Sequence, residues 1–334
     1  MKVSDFDFDL PAELIAQHPL PDRDASRMLV LDSHQKLNDK HISDFVSYMK
    51  SGDVVVFNNS KVIPCRFNAD GYEFTLHTKT NDGWWAFAKK FGKLDIGDKL
   101  KLDDGTIAEV IGKDDESGVQ LKFHCEDIFC VLDKVGKMPL PPYIKHDADS
   151  VDATRYQTVY ANPLGSMAAP TAGLHFTPEL LRKVEAVGAK IVNITLHVGA
   201  GTWKPITVTD TADHKMHSEW GVITSEQADI INSAKRVIAV GTTSLRLLES
   251  AASENSRVAP FSGTTNIFIT PGYEFKTVDI LLTNFHLPKS TLFMLVCAFA
   301  GTETMKTVYQ HAILEKYRFF SYGDCCLLFR NDGN

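Results

Sequence analysis

The sequence predicts an α/β protein in which a larger three-layer domain, built on a mostly parallel sheet, is interrupted by a small β-barrel. Three observations carry this. From about residue 150 onward an apolar β-rich run, a polar loop and a helical run recur in that order, the pattern of strands whose crossovers lay helices on both faces of a sheet. Residues 62–140 have a different texture, with short β-like runs, glycine turns and almost no helical periodicity, as in a small barrel or meander. The first sixty residues are again α/β. The barrel (residues 62–145) is therefore read as an insertion between two parts of one domain (residues 1–61 and 146–334).

In chain order, PAELIAQHPL begins with Pro11 at a first helical position and is stopped by Pro19 and Pro21. Met28–Leu31 and Asp53–Phe57 read as strands, the second after a Gly52-Asp53 turn. In the insertion the β-like runs are Tyr72–Thr78, Trp84–Lys89, Lys99–Leu102, Thr106–Ile111 and Val119–His124. A helical stretch at Ile128–Val135 and the stiff PLPPYIKH exit close it. Beyond it, Thr177 is a good N-cap, Pro178 suits N1 and Gly188 a stop. Lys190–Val198 is a strand that ends in His197. Arg236–Val240 is another, followed by Gly241-Thr242-Thr243 and a helix through Ala252. The last unit is an apolar strand (Val278–Leu282), a polar turn and an apolar helix (Thr291–Ala300) closed by Gly301.

Composition bounds the function. With 44% hydrophobic and 23% charged residues the chain has the make-up of a soluble globular protein. Its apolar runs reach about ten residues, where a membrane helix needs roughly 20. The segment MKVSDFDFDL has neither the basic nor the apolar region of a secretory signal, so a cytoplasmic location is expected. A net charge of −7 argues against general coating of nucleic acid but leaves room for a local basic site. None of the six cysteines forms a Cys-x-x-Cys pair, and no structural zinc site is expected. Cys297 reads as core filler. Cys325 and Cys326 fall on opposite faces of a strand, so packing is expected of them rather than redox chemistry.

In open α/β sheets ligands sit beyond the carboxyl ends of the strands. The loops there are LHVGAGTW, VGTTSLR and TNFHLPKST, with APTAGLHFT just before a helix. They bring His175, His197 and His286 to one type of position, together with Asn284 and several hydroxyls. Two of them precede helices, whose free N–H groups attract carboxylates and phosphates. Neither has the spacing of a nucleotide P-loop. Arg246 can turn back toward the Thr242 loop or pair along its helix with Glu249. His214 and His217 sit three apart near Glu219, which would suit a metal, but the spacing is not that of a zinc hydrolase.

These segments carry a resemblance. DFDFDLPAELIAQHPLPDRDASRMLVLD, VVFNNSKVIP, MPLPPYI, RYQTVYA, AAPTAGLHFT, TLHVGAGTW, MHSEW, VIAVGTTSLRLLES, DILLTNFHLPKSTLFMLVCAFAG and YRFFSYGD are similar, in the same order, to those of the S-adenosylmethionine:tRNA ribosyltransferase-isomerases of the queuosine pathway. The resemblance runs from residue 3 to about 328 and is dense outside residues 67–137. It implies a larger α/β domain interrupted by a barrel. It also implies transfer and isomerisation of the ribosyl part of S-adenosylmethionine onto 7-aminomethyl-7-deazaguanine at the wobble position of tRNA, which gives epoxyqueuosine and releases adenine and methionine. S-adenosylmethionine is then a consumed co-substrate and no metal or other cofactor is implied. A monomer is the expected state. Two departures stand out: the segment after Arg66, FNADGYEFTLHT, is shorter than usual, so the barrel's first strands are expected to be trimmed, and Cys325-Cys326 replaces Ala-Met.

In that chemistry the sulfonium acidifies the adjacent C5′ protons, and a neutral imidazole suits the base. His197 or His175 is the expected base, and His286 or Asp324 the group assisting proton transfer to adenine or ribose oxygens. Thr242, Thr243 and Arg246 are expected to hold the methionine carboxylate or ribose, and Lys289 and Ser290 a carboxylate or a tRNA phosphate, with Asn284 beside them. Phe176, Trp203 and Phe285 are candidates for stacking on adenine or the deazaguanine, and Glu249 or Asp279 for facing the sulfonium. Unstacked anticodon bases suit such a pocket. Two other readings compete: a metal-dependent hydrolase using His175, His197, His214 and His217, and a non-catalytic RNA-binding module with the barrel as reader.

Overall fold

A computed structural model describes residues 1–89, 91–115, 118–199 and 206–331. The N-terminal part gives strands β1 (Arg27–Leu31), β2 (Leu37–His41) and β3 (Asp53–Asn58). The helix expected after Pro11 shrinks to a 3-10 turn, Ala12–Leu14. Then come the short β4 (Lys61–Val62) and the insertion: β5 (Arg66–Ala69), β6 (Tyr72–Lys79), β7 (Trp84–Ala88), β8 (Lys99–Lys101), β9 (Ile107–Asp114), β10 (Gly118–Phe123) and helix α1 (Ile128–Val135). The remainder is α2 (Ser150–Arg155), β11 (Leu164–Ser166), α3 (Pro178–Ala186), β12 (Lys190–Leu196), β13 (Glu219–Ile223), α4 (Ser225–Asn232), β14 (Arg236–Val240), α5 (Thr242–Ala251), β15 (Phe261–Thr265), β16 (Ile280–Asn284), α6 (Thr291–Ala300), α7 (Thr302–Leu314) and β17 (Cys325–Phe329).

The large sheet has nine strands in the order β15-β13-β12-β3-β14-β16-β17-β1-β2. Its centre, β12-β3-β14-β16, is parallel as expected. The flanks are not: β13, β15 and β2 join antiparallel, and β17 lies antiparallel to β16 but parallel to β1, so the whole sheet is mixed. The central strands are apolar throughout because both of their faces are covered. Successive residues serve different cores. Val54, Val56, Ala239 and Leu281 pack with α4, α5, α6 and α7 on one face. Val55, Phe57, Ile238, Val240 and Leu282 pack with α3 and the 3-10 turn Ile42–Tyr48 on the other. Cys326 and Cys325 divide the same way, fully buried, and burial pushes both thiols up. They are packing groups.

The insertion's six antiparallel strands run β5-β6-β7-β10-β9-β8 around their own core of Phe67, Phe74, Val110 and Leu121. The short segment after Arg66 makes a tight hairpin: Asp70 and Gly71, both at positive φ, form its two-residue turn. That turn also brings the two edges together, since Ala69 bridges Leu102 and the Asp70 carboxylate accepts the Lys101 N–H at 2.8 Å. The trimmed first strands therefore still close the barrel.

Among the described residues no helix is long and apolar enough to cross a membrane.

Candidate active site

The strand directions assemble the site. The carboxyl ends of β12, β3, β14 and β16 share one edge of the sheet, and because β17 and β1 run the other way, the residues that precede them, Asp324 and Ser26, arrive at the same edge. A cavity of about 300 Å³ opens there. Thr242, Thr243, Asn284, Phe285, His286, Lys289 and Ser290, all expected at the site, line it, as does the stretch Ala168–Ala172.

The N-terminus of α5 forms one wall. Gly241, at φ +90°, turns the chain into the helix and offers no side-chain cap. The first N–H groups of a helix have no intrahelical acceptor, and the helix dipole favours an anion beside them. The Thr243 hydroxyl has no partner among the described residues, whereas the phenol of fully buried Tyr156 lies against Ser321 and the Ala169 backbone. Buried polar groups are rarely left without a partner, so the Thr243 hydroxyl is a candidate ligand contact.

The helix α6 is different, because its N-terminus is already capped. Ser290 Oγ accepts the Phe293 N–H at 3.1 Å and donates to the Leu287 carbonyl at 2.7 Å. Lys289, at φ +54°, gives its N–H to the Phe6 carbonyl (2.9 Å) and its ammonium to Asp7 (2.7 Å). Ser290, expected to grip a carboxylate or phosphate, is instead the cap of α6, and Lys289 ties the turn to the N-terminal segment through an exposed ion pair.

The three imidazoles occupy three environments. His286 lines the cavity; its Nε2 lies 3.1 Å from Thr283 Oγ1, and burial lowers its pKa to about 3. His175 is buried behind the wall. Asn284 donates its amide N–H to the Phe320 carbonyl (2.8 Å), which turns its oxygen toward His175 Nε2 (3.3 Å). That nitrogen therefore carries the proton, and Nδ1 accepts from Ser26 Oγ (2.9 Å). With both ring nitrogens engaged, His175 is not free to act as a base. Burial lowers its pKa to about 4, against the opposing pull of Asp324. His197 is not among the residues that line the cavity, though its neighbour Val198 is, and its pKa too is lowered by burial. Depressed imidazoles make the fold acid-sensitive. The unfolded chain binds protons from pH 6.5 downward that folded His175 and His286 refuse until about 4 and 3, so stability falls as pH drops through that window. Urea unfolding at pH 5 against pH 7.5 is expected to show a loss on the order of 2 kcal/mol from each.

Other expected residues lie elsewhere. Arg246 and Glu249 do not pair with each other. Arg246 forms a buried ion pair with Glu219, which in turn accepts the Gly199 N–H at 3.1 Å. Glu249 accepts from Tyr273 Oη and from the N–H groups of Lys276, Thr277 and Val278, at 2.8 to 3.2 Å, and anchors that loop. Asp279 is at the far end of β16, bonded to the Val237 N–H. Neither carboxylate faces the cavity, because each spends its oxygens on backbone N–H groups that a strand or loop leaves unpaired. Phe176 is wholly core, edge-on to Phe45 and Phe57. The Phe285 ring packs among Tyr309, Tyr317 and Phe319. Neither ring is open for stacking. Asp324 accepts from Arg27 N–H and from Arg318, behind His175. Trp203 lies outside the described residues. No group of three or more metal-binding side chains occurs among the described residues. Sequence reasoning missed Ser60 and Ser166, which no spacing marked as chemistry, and read Glu219 only beside His214 and His217 as a possible metal group, where it is the partner of Arg246.

The chain is 50% identical over 347 residues to an S-adenosylmethionine:tRNA ribosyltransferase-isomerase of Parvibaculum lavamentivorans, covering 98% of this chain and 99% of that one. It is 47% identical over 364 residues to a protein of the same name from Caulobacter vibrioides, at 99% and 100% coverage. Its fold resembles the crystal structure of an S-adenosylmethionine tRNA ribosyltransferase from Thermotoga maritima, with a TM-score of 0.57, 33% identity, and coverage of 98% of this chain and 100% of that one. A family model described as queuosine biosynthesis protein matches residues 3–328, and the chain belongs to that family.

Proposed function

We propose that this protein transfers the ribosyl moiety of S-adenosylmethionine to 7-aminomethyl-7-deazaguanine at the wobble position of tRNA and isomerises it, giving epoxyqueuosine-tRNA, adenine and methionine. S-adenosylmethionine is consumed as a co-substrate, no metal or other cofactor takes part, and the protein works in the cytoplasm as a monomer. One observation supports this reading above others: three separate stretches within the matched region, AAPTAGLHFT, VGTTSLR and TNFHLPKST, form the walls of a single cavity.

The uncapped α5 N-terminus and the Thr243 hydroxyl suit the carboxylate of the methionine part. His286 is the imidazole placed to accept a proton in the cavity. The burial that keeps it neutral also weakens it as a base, so the acidity has to come from the sulfonium.

The test is direct. Incubated with S-adenosylmethionine and tRNA carrying the aminomethyl-deazaguanine, the protein is expected to release adenine and raise the mass of the wobble nucleoside. Adenine release without the mass change, or neither with a verified substrate tRNA, overturns the reading.

A further inference from the structure

His197 ends β12 in a tight setting. Trp220 stacks on its ring, with centroids 5.6 Å apart and planes within 13° of parallel. Gly165 passes so close that a Cβ there would lie 2.6 Å from the ring. The imidazole Nδ1 is 2.6 Å from Ser60 Oγ, which is 2.6 Å from Ser166 Oγ, which accepts the Val198 N–H at 2.9 Å. Both serines are fully buried.

The direction of this chain follows from counting donors. A backbone N–H can only donate, so Ser166 Oγ accepts there, and its one proton goes to Ser60. Ser60 Oγ, having accepted, sends its own proton to Nδ1. A neutral imidazole whose Nδ1 accepts carries its hydrogen on Nε2. Reversing the chain would leave the Ser166 proton without an acceptor among the described residues, in a site closed to solvent, which disfavours that arrangement by about fivefold or more.

We propose that Ser60 and Ser166 are positioning residues that hold His197 in the tautomer with its proton on Nε2, so that the ring edge away from Ser60 carries an N–H donor rather than a lone pair. A donor there serves an acceptor that gains negative charge, such as a ring nitrogen of departing adenine or a ribose oxygen; it does not serve removal of a C5′ proton. This consequence rests on the proposed ribosyl transfer, whereas the tautomer does not. The depressed proton affinity of His197 agrees with a neutral ring.

The full-length protein, labelled with 15N-histidine, is examined at pH 7.5 by long-range proton–nitrogen correlation, with the His197 signals identified by their loss in His197→Gln. The expected spectrum shows Nδ1 unprotonated and Nε2 protonated; the opposite assignment overturns the proposal. In Ser60→Ala the two nitrogen shifts are expected to move toward each other as the tautomers mix, with kcat falling at least fivefold and KM for S-adenosylmethionine within twofold. An unchanged His197 spectrum in that variant removes Ser60 from the role. If the alanine variant does not fold, Ser60→Cys, a weaker donor of similar shape, is expected to shift the signals in the same direction. Wild-type protein that shows the expected tautomer but releases no adenine would sink the ribosyl-transfer reading and leave the tautomer standing.

Discussion

Arg246→Ala is expected to destabilise the protein by about 3–5 kcal/mol, the usual cost of stranding one member of a buried ion pair. The pair is deep: Arg246 is 5% exposed and Glu219 6%. The charges have few other partners. The Arg246 Nε reaches the Ile267 carbonyl at 3.3 Å, and Nη2 has no partner among the described residues. Without the guanidinium, the Glu219 carboxylate would keep only the Gly199 N–H among the described residues and would stay buried. Urea unfolding monitored by tryptophan fluorescence measures the loss, and a change below about 1 kcal/mol would show that the carboxylate finds water or a proton. The double variant Arg246→Met with Glu219→Leu is expected to recover most of the stability, because apolar replacement of both partners removes the desolvation cost together with the attraction. Any loss of activity that persists in the double variant belongs to the hold on Gly199, two residues beyond His197.

Gly165→Ala is expected to lower kcat/KM by about 100-fold, since displacing a positioned group by about 1 Å costs that much. A Cβ at residue 165 would fall 2.6 Å from His197 Cε1 and Nδ1, closer than carbon atoms approach without a shift. The ring cannot easily yield, held as it is by Ser60 at 2.6 Å and by the Trp220 stack. Steady-state kinetics with substrate tRNA measure the effect. Activity within twofold of wild type would show either that the ring has room or that its position does not matter to the reaction.

The sequence revealed the architecture better than the site. Strand–loop–helix periodicity located β14 to the residue, α6 to the residue, and Thr177 as the cap of α3, whose hydroxyl accepts the Leu180 N–H at 3.1 Å. It also separated barrel from sheet, because period-two runs with glycine turns differ from helical ones. It missed the flanking β2, β13 and β15, which are short and partly exposed, and it could not show the direction of β17, since an apolar strand covered on both faces reads the same in either sense. That is why the sheet was expected to be mostly parallel and is mixed.

Residues near the cavity were legible as loops beyond strand ends, and Thr242, Thr243, Asn284 and His286 do line it. Orientation was not legible. Ser290 in a Pro-Lys-Ser-Thr run fits a helix cap as well as an anion grip, and only the bond to Phe293 N–H decides. Val198 and His197 are adjacent, yet only the first lines the cavity. Glu249 and Asp279 carry charge in promising segments, but unpaired N–H groups nearby claim their oxygens.

The placement of β17 has a consequence for synthesis. This strand lies between β16 and β1, so β1 and β2 cannot join the main sheet until residues 325–329 have left the ribosome. The Arg27 N–H waits for the Asp324 carboxylate, 297 residues away. Partners so distant in sequence pair late. Until they do, the strand β1, apolar on both faces, is an open edge that a growing chain must shield, and the wall of Ser26, His175 and Asn284 is unfinished. The barrel, whose core lies within residues 63–135 except for Met167, is free to form first. Polypeptides halted before residue 325 are therefore expected to present a folded barrel on an unsettled catalytic half, a state that a protease would resolve into a resistant fragment and a degraded remainder.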